Sequence, residues 1–158
     1  MSLETVYSVD TSALIDGLER YYRPTSFPSL WEQIDNLIDR GRLLCSEEVL
    51  EEATLRDLPA KQWCLERQDR LIVATDASVA IEARVLLDKY PAMTKNLKGR
   101  NRADPFVIVV AKMRGATVVT GEGQDGSANR PKIPWVCRQL NVPCLRLADL
   151  IDREGWAF

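Results

Sequence analysis

The sequence predicts an α/β fold, a three-layer α/β/α sandwich built around a short, mainly parallel sheet. The main observation is that brief apolar runs alternate with longer segments of helical periodicity along the chain. The length of 158 residues suits one compact domain spanning 1–158. No signal peptide opens the chain and no apolar run approaches the roughly 18 residues of a membrane helix, so we expect a cytoplasmic protein.

The first half of the chain predicts strands and helices in turn. The segment "TVYSVD" is typical of a buried strand, and Thr11 or Ser12 is expected to cap the helix that follows. Further along, apolar residues at helical spacing precede Gly41, which is expected to end that helix. The elements predicted up to residue 90 are strands at 5–10, 42–46 and 70–74, and helices at 12–22, 28–40, 47–57, 59–70 and 76–90.

The run "DPFVIVVAKMRGATVVTGE" contains signals for both kinds of structure. Its valines and isoleucines favour a strand by propensity. Its ends favour a helix, with Asp104 at the N-cap, Pro105 at the first helical position and Gly115 just after the last turn. We therefore expect a largely buried helix over 104–114. The remaining predicted elements are strands at 116–120 and 143–147, and helices at 133–141 and 148–155.

The composition excludes several kinds of site. The chain has no histidine, which removes Ser-His-Asp and Cys-His catalysis, histidine-ligated zinc and histidine general bases. The net charge of −2 leaves any nucleic-acid binding to a local basic patch. The cysteines form no CxxC pair and are expected to be buried and reduced; they are Cys45, Cys64, Cys137 and Cys144.

Acidic residues stand where a parallel sheet binds its ligands. Asp10 follows the first predicted strand, Glu122 follows the strand "ATVVT", and Asp104 begins the predicted buried helix. Ligands of α/β sheets bind outside the carboxyl ends of the strands. Each acid also has an ordinary interpretation, since Asp104 suits a helix cap, Asp10 a turn and Glu122 an exposed loop. The three acquire functional meaning only as a set.

A fourth acid is predicted from the helix "SEEVLEEATL". At roughly 100° per residue, Glu52 lies roughly 60° from the centre of the apolar stripe, Glu48 roughly 100° and Glu51 roughly 160°. Glu52 is therefore expected to point inward, with Glu48 as the alternative. Converging carboxylates repel one another unless a cation neutralises them, and hard oxygen ligands suit Mg²⁺ or Mn²⁺. Such an ion can activate water for phosphodiester hydrolysis, a route that needs no histidine.

The ordered motifs "YSVDTSALID", "EEVLEEA", "RADPFVIVVAKMRGATVVTGE" and "KIPWVCRQLNVPCLRLADLI" resemble those of PIN-domain proteins over nearly the whole chain. The greatest likeness is to an uncharacterised bacterial and archaeal subgroup. The resemblance implies a PIN-like α/β/α fold and Mg²⁺- or Mn²⁺-dependent endoribonuclease activity, as in the toxins of toxin–antitoxin pairs.

The resemblance also implies roles for individual residues. The family acids, which are both catalytic residues and metal ligands, correspond to Asp10, Glu52, Asp104 and Glu122. Ser12 and Thr120 match supporting hydroxyl positions that orient the acids or the attacking water. Asp125 is an alternative to Glu122, because many PIN proteins carry aspartate at that position. A homodimer and an antitoxin protein are the partners that the resemblance implies, besides RNA.

A basic segment, "KNLKGRNR", leads directly into Asp104. Its ordinary interpretation is a solvated loop. Because it adjoins the predicted metal site, we expect Lys98, Arg100 and Arg102 to bind the RNA backbone.

Two other functions remain open at this stage. One is a non-catalytic PIN-like scaffold that binds RNA or protein. The other is a phosphatase in which Asp10 is the nucleophile, although the usual DxD motif is replaced by Asp10-Thr11-Ser12. The chain lacks a glycine-rich phosphate loop, which argues against nucleotide binding.

Overall fold

The computed structural model of the protein describes residues 4–94 and 102–158. Strands and helices alternate along the chain. The strands are β1 (Tyr7–Val9), β2 (Leu43–Ser46), β3 (Ile72–Val73), β4 (Thr117–Val119) and β5 (Cys144–Leu145). The helices are α1 (Thr11–Ile15), α2 (Pro28–Asp39), α3 (Glu47–Leu55), α4 (Pro59–Glu66), α5 (Gln68–Leu71), α6 (Ala77–Lys89), α7 (Asp104–Arg114), α8 (Ile133–Leu140) and α9 (Leu147–Arg153). A π-helix (Asp16–Tyr21) continues α1, and a 3₁₀ helix (Pro91–Thr94) follows α6.

The strands form one five-stranded sheet in the order β3-β2-β1-β4-β5. All of the strand pairs are parallel, so every carboxyl end lies at the same edge of the sheet. The connection from β1 leads to β2 on one side, and the connection from β4 leads to β5 on the other side, which makes the gap between β1 and β4 a topological switch point. This architecture confirms the predicted α/β fold and places the ends of β1 and β4 beside the expected ligand crevice.

Helix α7 forms where the sequence contained conflicting signals. Seven of its residues are buried, and Gly115 ends it in the left-handed conformation with φ +64°. The predicted buried helix is therefore confirmed. The free energy gained by burying its apolar side chains outweighs the intrinsic preference of valine and isoleucine for strands. The predicted cap at Asp104 is wrong. Ala103 occupies the N-cap position, no side chain among residues 4–94 and 102–158 caps the helix, and Asp104 is the first helical residue.

Three other local predictions need correction. The α1 cap position belongs to Asp10, and neither Thr11 nor Ser12 occupies it. The predicted helix over 59–70 is interrupted at Arg67, whose guanidinium binds both carboxylate oxygens of Asp35 at 2.6 and 3.2 Å. The predicted helix over 12–22 changes from α to π geometry after residue 15. The contact between Arg67 and Asp35 joins residues 32 positions apart, which local periodicity does not encode.

The thiols follow the prediction with one exception. Cys45, Cys64 and Cys137 are buried and free, whereas Cys144 is free but only partly buried. Cys144 lies on β5, the strand at one edge of the sheet, where fewer neighbours cover it.

Candidate metal centre

Asp10 is fixed at the end of β1 by its backbone and by hydroxyl groups. Its N–H donates to the Val119 carbonyl of β4 at 2.9 Å, and the residue is only 2% exposed. The Ser12 hydroxyl donates to Asp10 Oδ2 at 2.5 Å, and the Thr120 hydroxyl donates to the same oxygen at 3.1 Å. Both hydroxyls thus bind one oxygen of the acid, which leaves Oδ1 for another ligand.

The same hydroxyls also hold the loop after β4. The Gly121 N–H donates to Ser12 Oγ at 2.9 Å, and the Glu122 N–H donates to Thr120 Oγ1 at 3.1 Å. Ser12 Oγ and Thr120 Oγ1 lie 3.2 Å apart. This network joins the segment after β1 to the segment after β4, so Asp10 and Glu122 are held in a common frame.

Glu122 is oriented by α8. The backbone N–H of Ile133, the first residue of that helix, donates to Glu122 Oε2 at 2.7 Å. A carboxylate at a helix N-terminus is stabilised by unpaired N–H groups and by the helix dipole. This contact was not predicted from the sequence, because the partners lie eleven positions apart and the segment between them contains no cap signal that links them.

The three acids predicted at the strand and helix ends converge. One carboxylate oxygen from each of Asp10, Asp104 and Glu122 lies within 4.8 Å of the others. Asp104, at the start of α7, is 4% exposed, and Glu122 is partly buried. The structure therefore brings together acids from three separate elements at the switch point between β1 and β4.

Glu52 lies beside this cluster but outside the group within 4.8 Å. It is 3% exposed, as the helical periodicity predicted, and its charge acts on both Asp10 and Asp104. Arg56 Nη1 lies 3.3 Å from Glu52 Oε2. Within residues 4–94 and 102–158, the other oxygen, Oε1, has no hydrogen-bond partner. The i, i+4 spacing of Glu52 and Arg56 is the sequence signal for this ion pair.

The alternative acids are occupied elsewhere. Glu48 Oε2 accepts a hydrogen bond from Thr75 Oγ1 at 2.5 Å, and Glu48 is only half-buried. Burial, opposed by that hydrogen bond, raises the pKa of Glu48. Asp125 is exposed and pairs with Lys132 Nζ at 2.8 Å, an interaction that lowers the pKa of Asp125. The geometry thus favours Glu52 over Glu48 and Glu122 over Asp125.

The electrostatics of the cluster oppose full ionisation. Burial raises the pKa of Asp10 to about 7, and the charges of Glu122 and Glu52 act in the same direction. Hydrogen bonds from Ser12 and Thr120 partly offset this rise. Burial, followed by the charges of Asp10, Glu122 and Glu52, holds the pKa of Asp104 well above its usual range. A divalent cation would remove this repulsion.

These residues fit a hard divalent cation. The cluster offers carboxylate oxygens alone, which suit Mg²⁺ or Mn²⁺ better than softer metals. The unpaired Glu52 Oε1 supplies a further buried oxygen near the cluster. Burial leaves few alternative partners for the charges, so this cluster could hold a metal ion.

Of the residues predicted to bind RNA, only Arg102 lies in the described part of the chain. It is exposed and stands two positions before Asp104. Lys98 and Arg100 fall outside the described residues, so their predicted role stays a prediction.

The fold and the buried acids define an α/β protein with a candidate divalent-metal centre at its topological switch point. The chain belongs to the family described as a domain of unknown function (DUF4411), whose profile matches residues 7–158. No curated protein matches the chain.

A solved structure shares the fold. It is described as the crystal structure of VapBC2 from Rickettsia felis bound to a DNA fragment from their promoter. The similarity has a TM-score of 0.51 and a sequence identity of 16%, and it covers 90% of this chain and 98% of the matched chain. At this identity the likeness shows a common fold, in agreement with the predicted α/β/α sandwich. None of the helices in residues 4–94 and 102–158 has the length and hydropathy needed to cross a bilayer.

Proposed function

We propose that this protein is a metal-dependent endoribonuclease that hydrolyses RNA phosphodiester bonds. The observation that carries the proposal is the convergence of carboxylate oxygens from the buried Asp10 and Asp104 and the partly buried Glu122 at the switch point. The resemblance to PIN-domain proteins supports the same activity, and so does the fold shared with VapBC2.

In this proposal, Asp10, Asp104 and Glu122 hold Mg²⁺ or Mn²⁺, and Glu52 provides the neighbouring oxygen Oε1. When bound, the ion lowers the pKa of water and neutralises charge on the phosphate. Ser12 and Thr120 hold one Asp10 oxygen, so the other keeps a constant direction. The Ile133 N–H performs the same positioning for Glu122.

The test is cleavage of single-stranded RNA with Mg²⁺ or Mn²⁺, with and without a chelator. We expect Asp10→Asn and Asp104→Asn each to lower the cleavage rate on the order of 100-fold or more, because each removes a ligand charge. Asp125→Asn is the matched control, since Asp125 is an exposed acid near the same loop that pairs with Lys132. It should leave the rate within about twofold.

Two outcomes would contradict the assignment. Cleavage that survives both Asp10→Asn and Asp104→Asn would refute the site, even if the protein cuts RNA. RNA binding without cleavage would favour the non-catalytic scaffold. An acyl-phosphate on Asp10 after incubation with a phosphate monoester would instead favour the phosphatase.

We further propose that the protein is the toxin of a toxin–antitoxin pair. The sequence resemblance to such toxins supports this role, as does the fold shared with VapBC2. Expression of the chain alone should arrest bacterial growth, whereas the Asp104→Asn variant should not. Normal growth with the active enzyme present would argue for a housekeeping nuclease instead.

A further inference from the structure

The helix that begins beside Asp10 leads away from the acid cluster and carries a second group of side chains. It is a regular α-helix through Ile15 and a π-helix from Asp16 to Tyr21. The change of geometry is visible in the Tyr22 N–H, which donates to the Gly17 carbonyl five residues earlier at 3.1 Å. Short π-helical segments are uncommon and often lie at functional sites.

The π geometry changes which residues share a face. In an α-helix, a residue five positions further on stands roughly 140° around the axis. A π-helix holds more residues in each turn, so the angle around the axis between the same two residues is smaller. The π geometry therefore turns Tyr21 towards the side of the helix that carries Asp16 and Arg20. We call Asp16, Arg20 and Tyr21 the π-helix ridge.

The π-helix ridge begins at the edge of the candidate metal centre. A Cβ atom at Gly121 would overlap the Asp16 carboxylate, so the side chain of Asp16 lies directly against this loop. Gly121 is held by Ser12 and precedes Glu122, one of the clustered acids. A polymer bound at the cluster therefore has the ridge as one of its immediate neighbours.

The ridge has the chemistry of a nucleic-acid contact. Arg20 Nη1 lies 3.3 Å from Asp16 Oδ1, and the Arg20 side chain is 63% exposed. An i, i+4 ion pair at the protein surface contributes little to stability, so Arg20 can exchange Asp16 for a phosphate at little cost. Tyr21 is 64% exposed, an unusual position for an aromatic ring, and an exposed ring can stack on an unpaired base.

The backbone of the π-helix ridge is fixed by contacts with the core. A Cβ atom at Gly17 would meet the Trp31 ring and the Leu147 side chain at 3.0 Å, so the helix packs closely against the core there. Trp31 Nε1 donates to the Tyr22 carbonyl at 2.5 Å at the end of the π-helix. The exposed side chains therefore project from a fixed backbone, which limits the entropy lost on binding.

We infer that the π-helix ridge binds single-stranded RNA next to the scissile bond, with Arg20 on a phosphate and Tyr21 stacked on a base. This inference rests on the proposed function and extends it to the substrate contacts. It predicts a preference for single strands, because bases stacked in a duplex are not accessible to Tyr21.

The experiment measures binding of a fluorescent 12-nucleotide single-stranded RNA by anisotropy, using the Asp104→Asn protein so that the RNA stays intact. We expect Tyr21→Ala to weaken binding roughly fivefold or more. Arg20→Ala should weaken it similarly and lower the slope of log affinity against log salt by about one. Tyr21→Phe should bind like the parent, because the ring is retained.

Matched controls separate the ridge from general surface effects. Arg84 also forms an exposed i, i+4 pair, with Asp88, and Phe158 is 63% exposed, close to the value for Tyr21. Arg84→Ala and Phe158→Ala should leave RNA binding within about twofold. If Arg20→Ala and Tyr21→Ala match these controls while the wild-type protein still cuts RNA, the ridge is not a binding surface and the nuclease proposal stands. If the protein neither binds nor cuts RNA, both proposals fail.

Discussion

Asp10 illustrates how the surroundings of one carboxyl group set its behaviour. Burial raises its pKa to about 7, with Glu122 and Glu52 adding to the effect. The acids interact strongly, so near neutral pH the metal-free cluster retains a proton that belongs to the group as a whole. A divalent cation would replace that proton and remove the repulsion.

At the residue scale, we predict that raising the pH lowers the stability of the metal-free protein and increases the stabilisation by Mn²⁺. The folded pKa of Asp10, about 7, exceeds its usual value of 3.8, so the native state binds more protons than the unfolded state between these values. This contribution to stability is present below about pH 4 and is lost as the pH rises to about 7. Mn²⁺ should raise the Tm more at pH 7 than at pH 5.

Calorimetry with chelator or Mn²⁺ at both pH values checks this prediction. Asp125→Asn should retain the Mn²⁺-dependent rise in Tm, because Asp125 lies outside the cluster. Asp104→Asn should largely lose it. An equal rise in Asp104→Asn and wild-type protein would show that the metal binds elsewhere.

At the scale of elements, helix α7 connects the core to the site. Its first residue, Asp104, enters the acid cluster, while Val107, Ile108 and Val110 are almost fully buried. The position of Asp104 relative to Asp10 therefore depends on how α7 packs against the sheet. The Val107 carbonyl also accepts a hydrogen bond from Ser8 Oγ at 2.9 Å, which ties the helix to β1.

We predict that Ile108→Ala lowers the free energy of unfolding by about 2–5 kcal/mol, because it leaves a cavity between α7 and its neighbours. Met113→Ala is the control on the same helix, since Met113 is largely exposed. It should change stability by no more than about 0.5 kcal/mol. Urea denaturation measures both values, and equal losses would mean that α7 is not packed as described.

At the scale of the whole molecule, the carboxyl ends and the amino ends of the strands carry different groups of side chains. The carboxyl ends carry the acid cluster, whereas the amino ends are joined by Glu154, which follows α9. Tyr7 Oη donates to Glu154 Oε2 at 2.5 Å, and Arg42 Nη2 donates to the same oxygen at 2.8 Å. Burial opposes ionisation of Glu154, but the bonds from Tyr7 and Arg42 hold its pKa below the usual value. The C-terminal helix is thereby fastened to β1 and β2.

We predict that Glu154→Gln lowers the free energy of unfolding by about 2 kcal/mol, because Arg42 and Tyr7 lose a charged acceptor. Glu4→Gln is the matched control, as Glu4 is exposed and its Oε2 lies 3.8 Å from Arg42 Nε. It should have little effect. RNA cleavage by the folded Glu154→Gln protein should be unchanged, since the site is at the other end of the sheet. A lower cleavage rate at full folding would show that the two ends are coupled.

The sequence by itself determined the α/β class, the helix over 104–114 and the acids that belong together. These follow from local rules: alternating strands and helices, a glycine after the last turn, and acids at the carboxyl ends of strands. The inward direction of Glu52 also followed from helical periodicity alone. The DUF4411 family and the shared fold agree with that class of protein.

Only the tertiary structure decided how the site is held and what lies next to it. The Ile133 N–H on Glu122 and the hydroxyl network around Asp10 join residues far apart in the chain, with no pairing signal in the sequence. The π-helix from Asp16 to Tyr21 occurs where Gly17 packs against Trp31 and Leu147. Local patterns report which face of an element is apolar, but side-chain partners are chosen by packing between elements, and that choice exists only in the folded chain.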